Sequence, residues 1–304
     1  MRRWNELLIL FSLGASLAAA DCSEHVQICR DLPLGAGAGS GSAAGNTAGS
    51  TAGSTAAAGS DALACRIATC QGKIYRCGDC LDNDADGLAD SADPECTGPC
   101  DDTEDSYYGG IPGQNNAPCH EDCYFDQDTG PGNDHCYWSQ DCDRLSVAPN
   151  YPPSANTRCA YNPAAKVPGT SSTCAQLETT QDPACLAYCG PLTPNGCDSF
   201  GCCELPAGSK KFVWIGSTEQ NVGSCNAATL DDPAACHPCT PVASAFNACD
   251  ECEVCIGRTA PLASCALGTE ARCAHGLATC GQPGEPSCAP GGSCITGCCE
   301  PAPK

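Results

Sequence analysis

Cys197-Asp-Ser-Phe-Gly-Cys202-Cys203-Glu204-Leu-Pro206 is answered near the end of the chain by Cys294-Ile-Thr-Gly-Cys298-Cys299-Glu300-Pro301. In each stretch a glycine precedes two adjacent cysteines and a glutamate follows them. Adjacent cysteines rarely bond to each other, because the peptide between them strains the geometry a disulfide needs. Each vicinal pair is therefore expected to tie two different neighbouring loops together. From Cys65 onward cysteines recur every few residues, and the chain holds 32 of them, an even number, among 24 prolines and 33 glycines.

The rest of the composition is poor in what builds an ordinary interior. Beyond residue 20, cysteine is about one residue in nine, above the level that marks a disulfide scaffold, while Leu, Ile, Val and Phe together supply about 11%. Thirty-six acidic residues face 14 basic ones, for a net charge of −22. Such a chain cannot bury enough apolar surface to offset the ordering of its backbone, which leaves disorder or covalent cross-linking. The cysteines decide for cross-linking, since in an oxidising compartment each bridge typically contributes ~2–4 kcal/mol by restricting the unfolded chain. The same charge argues against nucleic acid and anionic membrane surfaces as partners and directs attention to cations.

Arg2 and Arg3, an apolar run from Leu7 to Leu17, and Ala18-Ala19-Ala20 match the three zones of a secretion signal, with cleavage expected after Ala20. No later segment approaches about 18 uninterrupted apolar residues, so no membrane span is expected. A lipid anchor on Cys22 is the competing reading, but Asp21 stands where a lipoprotein signal wants a small neutral residue. The expected location is secreted or cell-surface, extracellular or periplasmic.

Along the chain the divisions are a signal peptide (1–20), a short segment with Cys22 and Cys29 (21–34), and a Gly/Ala/Ser/Thr linker (35–64). An acidic cysteine-rich segment (65–143) and two further cysteine-rich modules (144–206 and 207–304) follow. The linker reads as a flexible tether with ends roughly 25–30 Å apart. No sustained helical period or strand-helix alternation appears, which argues against barrels and doubly wound α/β enzymes. The best strand is Phe212-Val213-Trp214-Ile215, and short helical turns are expected over residues 174–188 and 249–256. The predicted fold class is small and disulfide-rich: mostly irregular loops with short strands and helical turns, in several cystine-stapled modules.

Residues 77–143 carry 18 of the acidic residues and no Lys or Arg. Within them, Asp82-Asn83-Asp84-Ala85-Asp86-Gly87-Leu88-Ala89-Asp90-Ser91-Ala92-Asp93 places carboxylates at positions 1, 3, 5, 9 and 12 of a twelve-residue loop, with glycine at 6. A hard cation such as Ca²⁺ takes six to eight oxygens, and this spacing lets one short loop wrap it, with the Leu88 carbonyl at position 7 completing the set. The bland alternative is a solvated acidic surface. Pro94 follows the last acidic position and excludes an ordinary helix-loop-helix site. Downstream, Asp126, Asp128 and Asp134 around Gly130-Pro131-Gly132 form a candidate second, degenerate site; Asp and Asn are also simply good turn residues.

CLDNDADGLADSADPEC, from Cys80 to Cys96, resembles a thrombospondin type 3 calcium repeat, in which such loops are disulfide-flanked and irregular. The resemblance implies Asp82, Asp84, Asp86, Asp90 and Asp93 as side-chain ligands, though that family carries many tandem copies and this chain one. Asp93 is shorter than the Glu usual at the last position of helix-flanked loops, which predicts weak affinity, on the order of 10⁻⁴–10⁻³ M. The wider pattern, including PCHEDCYFD, PLTPNGCDSFGCC and CITGCC, looks like a group of cysteine-rich exported proteins from myxobacteria and their relatives; it implies secretion and a shared framework and brings no activity.

Other constellations are weaker. Cys236-His237-Pro238-Cys239 has the spacing of thiol-disulfide exchange sites but lacks a visible βαβ context. Cys77/Cys80 and Cys249/Cys252/Cys255 have spacings that thiolate-bound zinc or an iron-sulfur cluster would use. His120-Glu121 falls short of a zinc-protease helix because residue 124 is Tyr, and no Gly-x-Ser-x-Gly elbow occurs. Nothing argues for an enzyme. The leading expectation is a secreted calcium-stabilised structural or interaction protein, with calcium and an extracellular protein or polysaccharide as candidate partners. The alternatives are a binder or protease inhibitor presenting a cystine-braced loop, and a thiol-disulfide oxidoreductase using Cys236 and Cys239.

Overall fold

Trp214 and Cys202 sit opposite one another in the ladder between β3 (Cys202–Glu204) and β4 (Phe212–Trp214), and Cys202, Cys203, Val213 and Trp214 are all buried. The computed structural model describes residues 67–70, 72–110, 119–126, 134–146, 158–219, 222–258, 273–281 and 287–301, all within one compact unit from Ser60 to Lys304. The secretion signal, the segment 21–34, the linker 35–64 and Asp128 lie outside the described residues.

Among the described residues there are three other two-stranded antiparallel ladders: β1 (His120–Glu121) with β2 (Trp138–Ser139), β5 (Thr218–Glu219) with β6 (Val222–Gly223), and β7 (Gly292–Ile295) with β8 (Cys298–Pro301). Two short helices follow one another, α1 (Cys174–Thr179) and α2 (Pro183–Cys189). Thr173 and Gln176 form a capping box at the start of α1. At α2 the Asp182 side chain accepts from the Ala184 N–H and Pro183 occupies the first turn, where its missing N–H costs nothing. Six- and seven-residue helices are marginal on their own. Both are tied down: Cys174 bonds to Cys142, and Cys185 and Cys189, one turn apart on the buried face of α2, bond to Cys136 and Cys123.

The core follows from these ties. Its main cluster has 24 buried residues, of which ten are cysteine, so oxidised sulfur occupies nearly half of the positions that Leu, Ile and Val fill elsewhere. Tyr107, Tyr124, Trp138, Phe200, Leu205, Val213 and Ile215 supply half of the rest. Gly201, at φ +82°, faces the Tyr124 ring, where a Cβ would approach to 3.0 Å; glycine meets both the left-handed backbone and the close contact.

The fold class is the one expected, and every cysteine among the described residues is disulfide-bonded. The vicinal pairs behave as their chemistry requires: Cys202 bonds Cys239 and Cys203 bonds Cys197, while Cys298 bonds Cys273 and Cys299 bonds Cys288. Bridges cross the 143/144 division, as Cys123–Cys189 does, and the 206/207 division, as Cys202–Cys239 does, so residues on either side share one core. Residues 249–256 form turns instead of the helical turn expected there. The Cys249–Cys255 bridge holds its two Cα atoms 5.9 Å apart, whereas six helical residues would separate them by about 9 Å.

Candidate metal centre

Residues 82–93 fold as a run of tight turns closed by their own carboxylates. Asp82 Oδ1 accepts from the Ala85 N–H at 2.6 Å and its Oδ2 from the Gly87 N–H at 3.0 Å. Asp84 Oδ1 accepts from Asp86 N–H at 3.0 Å, and Asp86 Oδ1 from Leu88 N–H at 2.7 Å. These turns need left-handed backbone at Ala85 (φ +68°) and Gly87 (φ +99°). Their result is that oxygens of Asp82, Asp84 and Asp86 lie within 4.8 Å of one another, with all three side chains exposed.

The other expected ligands divide. Leu88 is exposed at its place in the same turn. Asp90 is outside the converging trio and buried: it starts a 3₁₀ turn (Asp90–Ala92), and its carboxylate accepts from the N–H groups of Asp79 and Cys80 at 3.0–3.2 Å. Asp93 is 2% exposed; its Oδ1 accepts from Glu95 N–H at 2.7 Å and its buried Oδ2 has no hydrogen-bond partner. Burial first, then a side-chain hydrogen bond shared with Glu95 and the neighbouring charges of Glu95 and Asp86, push the Asp93 carboxyl up to about 7, against the Glu95 N–H that favours its charged form.

The loop is held from beneath by a residue that the sequence did not single out. Glu104 is 1% exposed; its Oε2 accepts from Asn83 N–H at 2.6 Å and its Oε1 from Asp90 N–H at 2.9 Å, so one carboxylate grips both ends of the loop. In the sequence Glu104 is one acid among Asp101, Asp102 and Asp105, and no spacing distinguishes it. Cys96, at the loop's end, bonds to Cys77, and Cys80 forms a separate bridge, so the two cysteines bracketing the loop are not joined to each other.

At the candidate second site, Asp126 and Asp134 are both fully buried. Asp134 accepts from the N–H groups of Cys123 and Cys136, bracing the two cysteines that bond α2. The structure also corrects the sulfur-based alternatives. Cys236 bonds Cys225 and Cys239 bonds Cys202, and both are buried, so the Cys-x-x-Cys pair expected for thiol exchange does not form. Cys77, Cys80, Cys249, Cys252 and Cys255 are all oxidised and have no thiolate to offer zinc or iron. The same holds for the grouped sulfurs of Cys280, Cys288 and Cys299 and of Cys119 and Cys159.

Among the described residues no helix is long and apolar enough to cross a membrane. Compared with protein families, curated proteins and solved structures, the chain has no match.

Proposed function

We propose that this chain is an exported protein in which a calcium ion orders the loop 82–93, serving a structural or interaction role at the cell surface or in the extracellular space. One observation carries the reading: the carboxylates of Asp82, Asp84 and Asp86 converge within 4.8 Å at the surface. Like charges that close repel by ~1 kcal/mol or more per pair even in water. A divalent cation turns that repulsion into attraction. The ligands would be Asp82, Asp84, Asp86, the Leu88 carbonyl and Asp93, with Asp90 anchoring the loop through its hydrogen bonds to Asp79 and Cys80. Extensive disulfide bonding supports an oxidising compartment, where millimolar calcium makes a weak site useful.

Thermal melts with and without calcium test this. At a Kd on the order of 10⁻⁴ M, about 10 mM calcium raises stability by about 2.7 kcal/mol. Asp84→Asn with Asp86→Asn removes the calcium response and leaves calcium-free melting unchanged or higher, because repulsion is relieved. Glu104→Gln instead swaps an acceptor oxygen for an amide and lowers calcium-free stability by ~1–3 kcal/mol through an unpaired buried N–H. A double variant that responds to calcium as the parent does contradicts the assignment.

A further inference from the structure

The bridge between Cys249 and Cys255 closes a short loop in which Cys255 is 2% exposed and Cys249 half-buried. Just beyond it the chain turns tightly: Cys255 N–H donates to Arg258 O at 3.0 Å and Arg258 N–H to Cys255 O at 2.8 Å, with Gly257 at φ +67° between them. That turn sends the Arg258 side chain back across the loop. Its Nη2 lies 2.9 Å from Cys249 Sγ, 3.4 Å from Cys255 Sγ, 2.9 Å from the Asp250 carbonyl and 2.7 Å from the Glu253 carbonyl, with its two hydrogens shared among these acceptors. One guanidinium therefore rests on both sulfurs of one cystine. The acidic groups around it are Asp250, Glu251 and Glu253; Glu253 is buried, and its Oε2 accepts from the Asp250 N–H. Other half-exposed bridges have different company: Cys96 Sγ lies 3.7 Å from the Glu104 carboxylate, and Cys298 Sγ accepts from the neutral Asn195 amide.

We infer that Cys249–Cys255 is the thiol-exchange site of this molecule, the bridge at which a small-molecule thiol forms a mixed disulfide. An incoming thiolate attacks Cys249 Sγ, the more open sulfur. The S–S bond breaks, and its electron pair leaves on Cys255 Sγ, which becomes a thiolate beside the Arg258 guanidinium. A second thiolate attacks the external sulfur of the mixed disulfide and frees Cys249. In net terms one cystine gains two electrons and two small thiols become their disulfide. Exchange is faster when the leaving thiol has a lower pKa, and an adjacent cation lowers it. A thiolate formed at Cys96 would instead face a carboxylate.

The test is limiting dithiothreitol on the native protein, with alkylation and peptide mass mapping at early times. Cys249 and Cys255 are labelled before any other pair, and Arg258→Gln slows their labelling roughly three- to tenfold. In the parent protein, the pH dependence of alkylation at the freed Cys255 gives a thiol pKa below the free-cysteine value of about 8.5. A different bridge opening first, a Cys255 thiol titrating at or above that value, or equal rates in a folded Arg258→Gln protein overturns the inference; if that variant does not fold, the two measurements on the parent decide.

Discussion

Asp101 and Asp198 are each 1% exposed, and each accepts hydrogen bonds through both oxygens: Asp101 from Thr97 and Thr103, Asp198 from the N–H groups of Phe200, Cys202 and Val242. Those donors favour the charged form, yet burial outweighs them and pushes both carboxyls from 3.8 up to about 7. Because the folded value lies above the unfolded one, the neutral form is favoured by folding. The stability these groups confer is present in full below about pH 4 and is lost as pH rises to about 7. At the limit each such rise corresponds to about 4 kcal/mol. In calcium-free buffer the urea midpoint is therefore highest near pH 4, falls towards pH 7 and then levels. A midpoint that climbs from pH 4 to pH 7 contradicts this reading of the buried carboxyls. At this scale the sequence is least informative: Asp82, Glu104 and Asp198 are all carboxylates that accept from backbone N–H groups, and only burial separates the exposed one from the two enclosed in the interior.

The C-terminal hairpin β7-β8 is docked on the rest of the molecule by Asn195. Its N–H donates to Thr296 Oγ1 at 3.2 Å, and its side-chain amide donates to the carbonyls of Val254 (3.1 Å) and Thr296 (3.3 Å). Three bridges fasten the hairpin locally, Cys273–Cys298, Cys280–Cys294 and Cys288–Cys299, and all of them stay within the C-terminal segment. Asn195→Ala thus loosens the docking while the hairpin itself survives. We expect a loss of ~1–3 kcal/mol and faster amide hydrogen exchange around Thr296 and Gly297, with protection in the β7-β8 ladder kept; unchanged exchange at Thr296 and Gly297 refutes it. Elements whose signals are local were legible beforehand. The β-branched and aromatic run at Phe212 became β4, and residues 174–188 became α1 and most of α2. The stretch 249–256 has equal helical promise, and a bridge between residues six apart overrides it. Cysteine spacing carries no pairing information, because spacing does not say which loops meet in space. The echo between the two vicinal motifs is a case in point: Cys197 bonds within its own motif, to Cys203, whereas Cys294 bonds outside its motif, to Cys280.

For the whole molecule, sulfur stands in for aliphatic volume. With ten cysteines in a 24-residue core, each bridge restricts the unfolded chain and also fills interior space. The part of the acidic segment that carries the loop meets residues 225–227 through Tyr107, whose N–H donates to Cys225 O at 2.9 Å, and through Glu95, whose Oε1 accepts from the Ala227 N–H at 2.9 Å. The loop 82–93 is thereby a part of the cross-linked body, shaped by Glu104 and the Cys77–Cys96 bridge. The most direct test is a calcium titration followed by near-ultraviolet circular dichroism, run in parallel on the native protein and on protein fully reduced and alkylated. The native protein should give fixed aromatic signals and a saturable calcium response, and the reduced chain neither. A reduced chain that keeps its aromatic signals and still responds to calcium contradicts this expectation.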